Sequence, residues 1–258
     1  MRAGAKTRTD AERAARARAF DLGVFERASD RVVRGERATL ISTPSLRRAP
    51  HLHGVVLHGQ MDVGEAEALA DELLGDLPFR RLLAPDDALV DPLVARGWRH
   101  EPVLLLARDG TREPPEAGAL AEEVPYGHVR GLRDEWIRSE PWAKGEEEVR
   151  AAHEADRRMF AGTATRAFAT FERGRPLAYA LLLDGGTDGM LEDVFTTAGA
   201  RGRGLARAVC AAVLHAARAE RHELVFVATD AVGGAGPLYE KLGFERVTVL
   251  HWLRRGEP

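Results

Sequence analysis

Between residues 122 and 254 the apolar positions change period several times, and each change marks an element. HVRGLRDEWIRSEPW and KGEEEVRAAHEADRRMFAG carry helical patterning, the second closed by Gly162. ATRAFATFER and RPLAYALLLD read as strands joined at Arg173-Gly174, a dipeptide suited to a hairpin, and GMLEDVFTT reads as a third strand. In GARGRGLARAVCAAVLHAARAE, Leu205, Val209, Val213 and Ala216 keep a helical period, which predicts a helix opened by a glycine-rich loop. HELVFVATD is apolar almost throughout, as a strand buried on both faces should be. GPLYEKLGF then predicts a short helix ending at Gly243, and RVTVLHWLRR a last strand. That order predicts a mixed α/β unit with strand–helix–strand crossovers.

The first half echoes the second. PLVARGWRHEPVLLLAR (92–108) parallels LYEKLGFERVTVLHWLR (238–254) when Gly97 is set on Gly243: short helix, Gly-aromatic, strand. Just upstream, FRRLLAPDD matches LVFVATDA as strand then turn. Between the halves, DGTREPPEAGALAEEVP (109–125) combines glycine, a Pro-Pro pair and acidic residues with almost no large apolar side chains, which suits a linker. The expected division is an N-terminal unit 1–110, a linker 111–121 and a C-terminal unit 122–258. A helix should begin near Asp10, with Asp10 as its N-cap, after a frayed Arg- and Ala-rich tail. The N-terminal half has no counterpart of RGRGLA, so a duplicate there has lost whatever that loop serves.

Composition narrows the partners. At 258 residues the chain suits two domains of about 110 to 140 residues. With 45% hydrophobic and 30% charged residues it reads as globular, and a formal net charge of −3 supplies no field favouring nucleic acid. Phosphate recognition must therefore be local. The single cysteine, Cys210, excludes an internal disulfide framework and fits a reducing cytoplasm, where it reads as a small buried residue. No run approaches the ~20 apolar residues of a membrane span, so no membrane partner is expected.

The loop Arg201-Gly202-Arg203-Gly204-Leu205-Ala206 lies after a strand and opens a helix. Free N–H groups at a helix start favour anions, and glycines let a phosphate approach the main chain. Arg201 and Arg203 add charge-assisted donors. The loop lacks the third glycine of the dinucleotide fingerprint and the G-K-[ST] of a Walker A loop. What remains, R-x-x-G-x-A after a strand, resembles the pyrophosphate loop of the GNAT superfamily of acyl-CoA-dependent N-acyltransferases. A second motif agrees: Ala235, Leu238, Tyr239, Lys241, Gly243 and Phe244 match that family's A-x-x-L-Y-x-K-x-G-F pattern. The family often has an asparagine three residues before that alanine, bonding the pantetheine arm; here Val232 stands there, with Gly233-Gly234 after it.

The resemblance implies tandem GNAT-like domains, each a mixed, mostly antiparallel sheet flanked by helices, the first degenerate and the second catalytic. It implies an acetyl-CoA-dependent N-acetyltransferase that moves an acetyl group to a primary amine by direct transfer. Such a reaction needs a neutral amine, stabilisation of the developing oxyanion and a proton for the thiolate. By the resemblance Tyr239 gives that proton, and Glu192 in LEDVFT takes the amine proton through water. The main chain at Val194 and Thr196 would pair with the pantetheine arm, and Gly202 to Ala206 would hold the diphosphate. Period-2 alternation sets Glu192, Val194 and Thr196 on one face and Asp193 on the other, as a substrate contact or salt-bridge partner. Trp136 and Trp142, among acidic residues of the first two helices, would meet a small-molecule or peptide amine. His51 and His53, two apart on a possible strand HLHGVVLHG, lack the further convergent ligands a metal needs, so no metal is expected. Two readings stay open beside the leading one: a two-domain acyltransferase of specialised thiol biosynthesis, as in mycothiol synthase, and a non-catalytic acyl-CoA sensor.

Overall fold

A computed structural model describes residues 9–116, 120–233 and 235–257. The tail before Thr9 and the middle of the expected linker lie outside those residues. The first half runs α1 (Asp10–Ala28), β1 (Arg31–Arg34), β2 (Ala38–Ser42), β3 (Gly54–Leu57), α2 (Val63–Leu74), β4 (Phe79–Ala84), α3 (Val90–Ala95) and β5 (Arg99–Asp109). The second runs β6 (Glu122–Val124), α4 (Arg130–Ser139), α5 (Glu146–Ala161), β7 (Ala164–Glu172), β8 (Arg175–Asp184) and β9 (Asp188–Thr196). It closes with α6 (Leu205–Ala219), β10 (Leu224–Asp230), α7 (Gly236–Lys241) and β11 (Glu245–Gly256).

Two local expectations change. Thr9, not Asp10, caps α1: its hydroxyl accepts from the Glu12 N–H at 3.2 Å, which leaves Asp10 inside the first turn where its charge meets the helix dipole. The possible strand over HLHGVVLHG shrinks to Gly54–Leu57, because Pro50–Leu52 forms a 3-10 turn. His51 and His53 therefore do not share a strand face.

The strands form one sheet in the order β1-β2-β3-β4-β11-β5-β10-β9-β8-β7-β6. Among the described residues only β3/β4 and β9/β10 are parallel. The last strand of each half lies inside the other: β11 pairs with β4, β5 pairs with β10, and the two exchanged strands pair with each other. Each half thus lends the strand that completes its neighbour, and separating them would expose the edges of four strands. The repeat read from the sequence is visible in the backbone, since Gly97 and Gly243 follow α3 and α7 at φ 86° and 87°. Trp98 and Phe244, the aromatic residues after them, are both buried.

Helices cover both faces. On one face α1, α4 and α5 pack over Val56, Leu83, Leu105, Tyr179 and Phe226. On the other, α6 and α7 cover the second half through Leu205, Val209, Val213 and Tyr239. The matching layer of the first half is α2 and α3, through Ala66, Ala70 and Leu93. α1 spans the junction, with Ala17 and Val24 buried against strands from both halves.

Candidate active site

β9 and β10 begin side by side and then part. Their pairing covers Leu224–Asp188, Val225–Gly189 and Phe226–Met190, and stops there. β9 continues to Thr196 and β10 to Asp230, so from Leu191 onward the edge of β9 facing β10 has no strand partner among the described residues. An unpaired strand edge inside a sheet is a place for an extended ligand to add main-chain hydrogen bonds. The Thr196 hydroxyl there is buried with no partner among the described residues, so a polar atom awaits one.

The expected alternation along β9 fails at its centre. Leu181 pairs with Glu192 and Tyr179 with Phe195, so Asp193 and Val194 together oppose Ala180 in a bulge. Asp193 adopts φ 53°, a left-handed conformation that aspartate tolerates better than most residues. The bulge turns Asp193 to the same face as Glu192, toward α1 and α4, and leaves Val194 on the α6 side. Glu192 and Asp193 are therefore neighbours, not opposites.

Asp193 is anchored from α4. Arg133 Nη1 donates to its Oδ1 at 2.7 Å, and the same guanidinium grips Asp156 of α5 at 2.8 and 2.7 Å. The Tyr179 hydroxyl adds a longer bond at 3.5 Å. Glu192 has no such side-chain anchor among the described residues, only a backbone hydrogen bond from Asp193. Burial, then the adjacent carboxylates of Asp193 and Asp21, push its carboxyl well above the ordinary range. Burial also raises Asp193, but Arg133 opposes the rise, so Asp193 holds its charge more readily than Glu192.

The glycine-rich loop follows β9 through a short 3-10 turn, Ala198–Ala200. Gly202 and Gly204 stand at φ 75° and 78°, and a Cβ at either would meet nothing within 4 Å. Gly204 is the N-cap of α6, and no side chain caps that helix, so its first N–H groups are open to a ligand. Arg201 Nε bonds the Thr196 carbonyl at 3.3 Å, while Arg203 pairs with Glu172 at 2.5 Å. Leu205 packs inward and Ala206 begins the outer face. The corresponding first-half helix, α2, is closed by a capping box in which Asp62 and Glu65 fill the free donors. Two carboxylates at that position repel an anion, which is why the first half offers no such cradle.

Tyr239 comes from α7, directly after β10, and packs edge-on against Phe244 with ring centres 6.0 Å apart. Burial pushes its phenol above the ordinary value, so it keeps its proton at neutral pH. Four residues before the matching glycine of the first half stands Leu93, which has no proton to give. Tyr239, Glu192, Asp193 and Val194 all line one cavity of about 770 Å³. Trp136 and Trp142 line its α4–α5 side, Trp136 beneath the Arg133 guanidinium at 4.2 Å and edge-on to Trp142 at 6.3 Å.

The first half also contributes, which the sequence did not reveal. His51, Arg81 and Glu101 line the same cavity. Burial pushes the His51 imidazole down to about 4, so it is neutral there. Asp21 of α1, buried beside Arg81 and Glu192, is pushed by burial up to about 7. An acidic residue on the buried face of an amphipathic helix was the only local sign of it. Among the described residues no group of three or more potential metal-ligating side chains converges.

Residues 129–244 match the acetyltransferase (GNAT) family. No curated protein sequence is detectably similar to the chain. Among solved structures, a GCN5-related N-acetyltransferase from Kribbella flavida superposes with a TM-score of 0.61, 19% identity and 95% of each chain covered. A tandem GNAT protein from the clavulanic acid biosynthesis pathway gives 0.56, 16% identity, and 87% of this chain and 81% of that one. A functionally unknown conserved protein from Staphylococcus epidermidis gives 0.69 at 9% identity, covering 89% of this chain and 95% of that one. At such identities the likeness speaks for the fold. The family match makes residues 129–244 a GNAT acetyltransferase domain, and the fold of the chain as a whole is one shared with a tandem GNAT protein.

Proposed function

We propose that the protein transfers an acetyl group from acetyl-CoA to the primary amine of a small-molecule or peptide acceptor by direct attack. The observation that carries this reading is one cavity that joins the open edge of β9 at Val194 to a buried, protonated tyrosine and a carboxyl held above its ordinary range. An uncapped glycine-rich helix start follows the same strand in the chain. The residues fit coenzyme A: the main chain of Val194 and Thr196 would take the pantetheine arm, and Gly202 to Ala206 with Arg201 and Arg203 the diphosphate. Acetyl-CoA supplies an activated acyl carbon. Within this reading Glu192 removes the amine proton, directly or through water, as the new C–N bond forms. The C–S bond breaks, and Tyr239 protonates the departing sulfur. Asp193, fixed by Arg133, keeps the bulge of β9 and the orientation of Glu192. The working division is a catalytic unit 122–258, a linker 111–121 and an N-terminal unit 1–110 that walls the cavity.

Release of free thiol from acetyl-CoA across a panel of amines and peptides tests the reading. Acceptor-dependent release is the expected result. A protein that binds acetyl-CoA yet releases no thiol with any acceptor is a sensor instead.

A further inference from the structure

The cavity's cations are unequally matched. Arg133 is held by Asp156 and Asp193, Arg254 by Glu101 at 2.9 Å, and Arg48 by Glu148. Arg81 of β4 differs. Its guanidinium carbon lies over the Trp252 ring, 3.7 Å from the centre, and its one hydrogen bond among the described residues, from Nη1 to the His51 carbonyl, is long at 3.5 Å. Among the described residues no carboxylate lies within ion-pairing distance of it, although Glu101 and Asp21 act on it through their charge. Arg81 is half-buried, and of the five N–H donors of a guanidinium this bond uses one, so the others are left to the cavity and its solvent. The stacking on Trp252 fixes the guanidinium plane and leaves its edge to the cavity.

Arg81 and Glu192 face a common space. Beside the main cavity a smaller chamber of about 240 Å³ shares Phe25, Arg81, Met159, Glu192, Ala228 and Thr229 with it. Asp21 and Asp230 are its other charged walls, and the rest is largely apolar, including Met190 and Trp252. A ligand that reaches Glu192 from the cleft therefore has a cation within the same enclosure. Resting on the transferase reading above, we propose that the acceptor is an amino acid or another amine carrying a carboxylate. Its carboxylate docks on Arg81 while its amine faces Glu192. A monoanion fits better than a phosphate dianion, because Asp21, Glu192 and Asp230 share the wall and oppose a second negative charge. The first half then has a task in recognition although it lacks the cradle and the tyrosine: it supplies the arginine that selects the acceptor.

The test compares matched acceptors by kcat/KM: phenylalanine with phenylalaninamide and phenethylamine, lysine with cadaverine, and β-alanine with phosphoethanolamine. The proposal expects each carboxylate to be preferred by about tenfold or more, the worth of one charge-assisted pair. Arg81→Met should reduce that preference to near unity, and Arg81→Lys should restore part of it. A variant that misfolds lowers both members of a pair alike, so the ratio reads recognition alone. Turnover with no carboxylate preference in the wild type overturns this inference and leaves the transferase reading standing, as does a preference unchanged in Arg81→Met. A preference for phosphoethanolamine overturns the choice of carboxylate. Bound acetyl-CoA with no turnover of any acceptor overturns both readings.

Discussion

Arg133 and Asp193 meet at 2.7 Å, sixty positions apart in the chain, because a bulge gives Asp193 a φ of 53° and swings its carboxylate toward α4. Both side chains are 8% exposed, and Asp156 completes the triad. Removing the shared cation leaves two buried carboxylates without compensation. Arg133→Met is expected to destabilise the fold by about 3–5 kcal/mol, read from urea unfolding with an unchanged slope. Asp156→Asn keeps one acceptor oxygen and should cost less.

Tyr239→Phe tests the proton donor apart from the fold. The ring remains packed on Phe244, so only the hydroxyl is lost. The proposed role predicts a fall in kcat of about 10²–10⁴. The affinity for acetyl-CoA, measured by calorimetry, should stay within about threefold, since little binding energy runs through that oxygen.

Gly204→Ala probes the loop. A Cβ there clashes with nothing, so the cost is conformational: φ 78° is unfavourable for an L side chain by about 1–2 kcal/mol. Acetyl-CoA binding should weaken by about fivefold or more as the helix start readjusts. Gly199→Ala is the control, because Gly199 has equal space and no left-handed φ. Equal binding by the two variants would remove the cradle from Gly204.

Asp21 should make stability depend on pH. Its carboxyl is raised from 3.8 to about 7 in the folded protein. Between those values the folded state binds the proton that the unfolded state has lost. Stability from this group is therefore complete below about pH 4 and is lost as pH climbs through 7. Asp21→Asn, which cannot ionise, should be more stable relative to wild type at pH 8 than at pH 4, by on the order of 1–3 kcal/mol. Thermal unfolding at the two values measures it, and an equal difference at both pH values would rule out Asp21 as the source.

Glu192 should shape the rate profile. Its carboxyl sits well above the ordinary range, so the basic form that accepts an amine proton grows as pH rises. kcat/KM is expected to rise through a limb lying above the usual carboxylate range. Glu192→Gln should lose that limb along with most of the activity.

Much was legible because it is local. The glycine loop, the α7 motif and the repeated helix–glycine–aromatic unit each depend on residues close in sequence. Their periods and turn chemistry are therefore written in the chain. Three things were not. The exchange of β5 and β11 is a choice between equivalent strand edges, and only packing of the whole sheet selects it. The bulge at Asp193 breaks period-2 alternation for the sake of Arg133, a partner that no local pattern announces. The shared cavity brings Arg81 and Asp21 to Glu192 across both halves, where burial and long-range charge decide their protonation. The sequence by itself determined a glycine-rich helix start whose open N–H groups suit an anion. The tertiary structure decided which carboxyl faces which cation, because that depends on contacts between residues far apart in the chain.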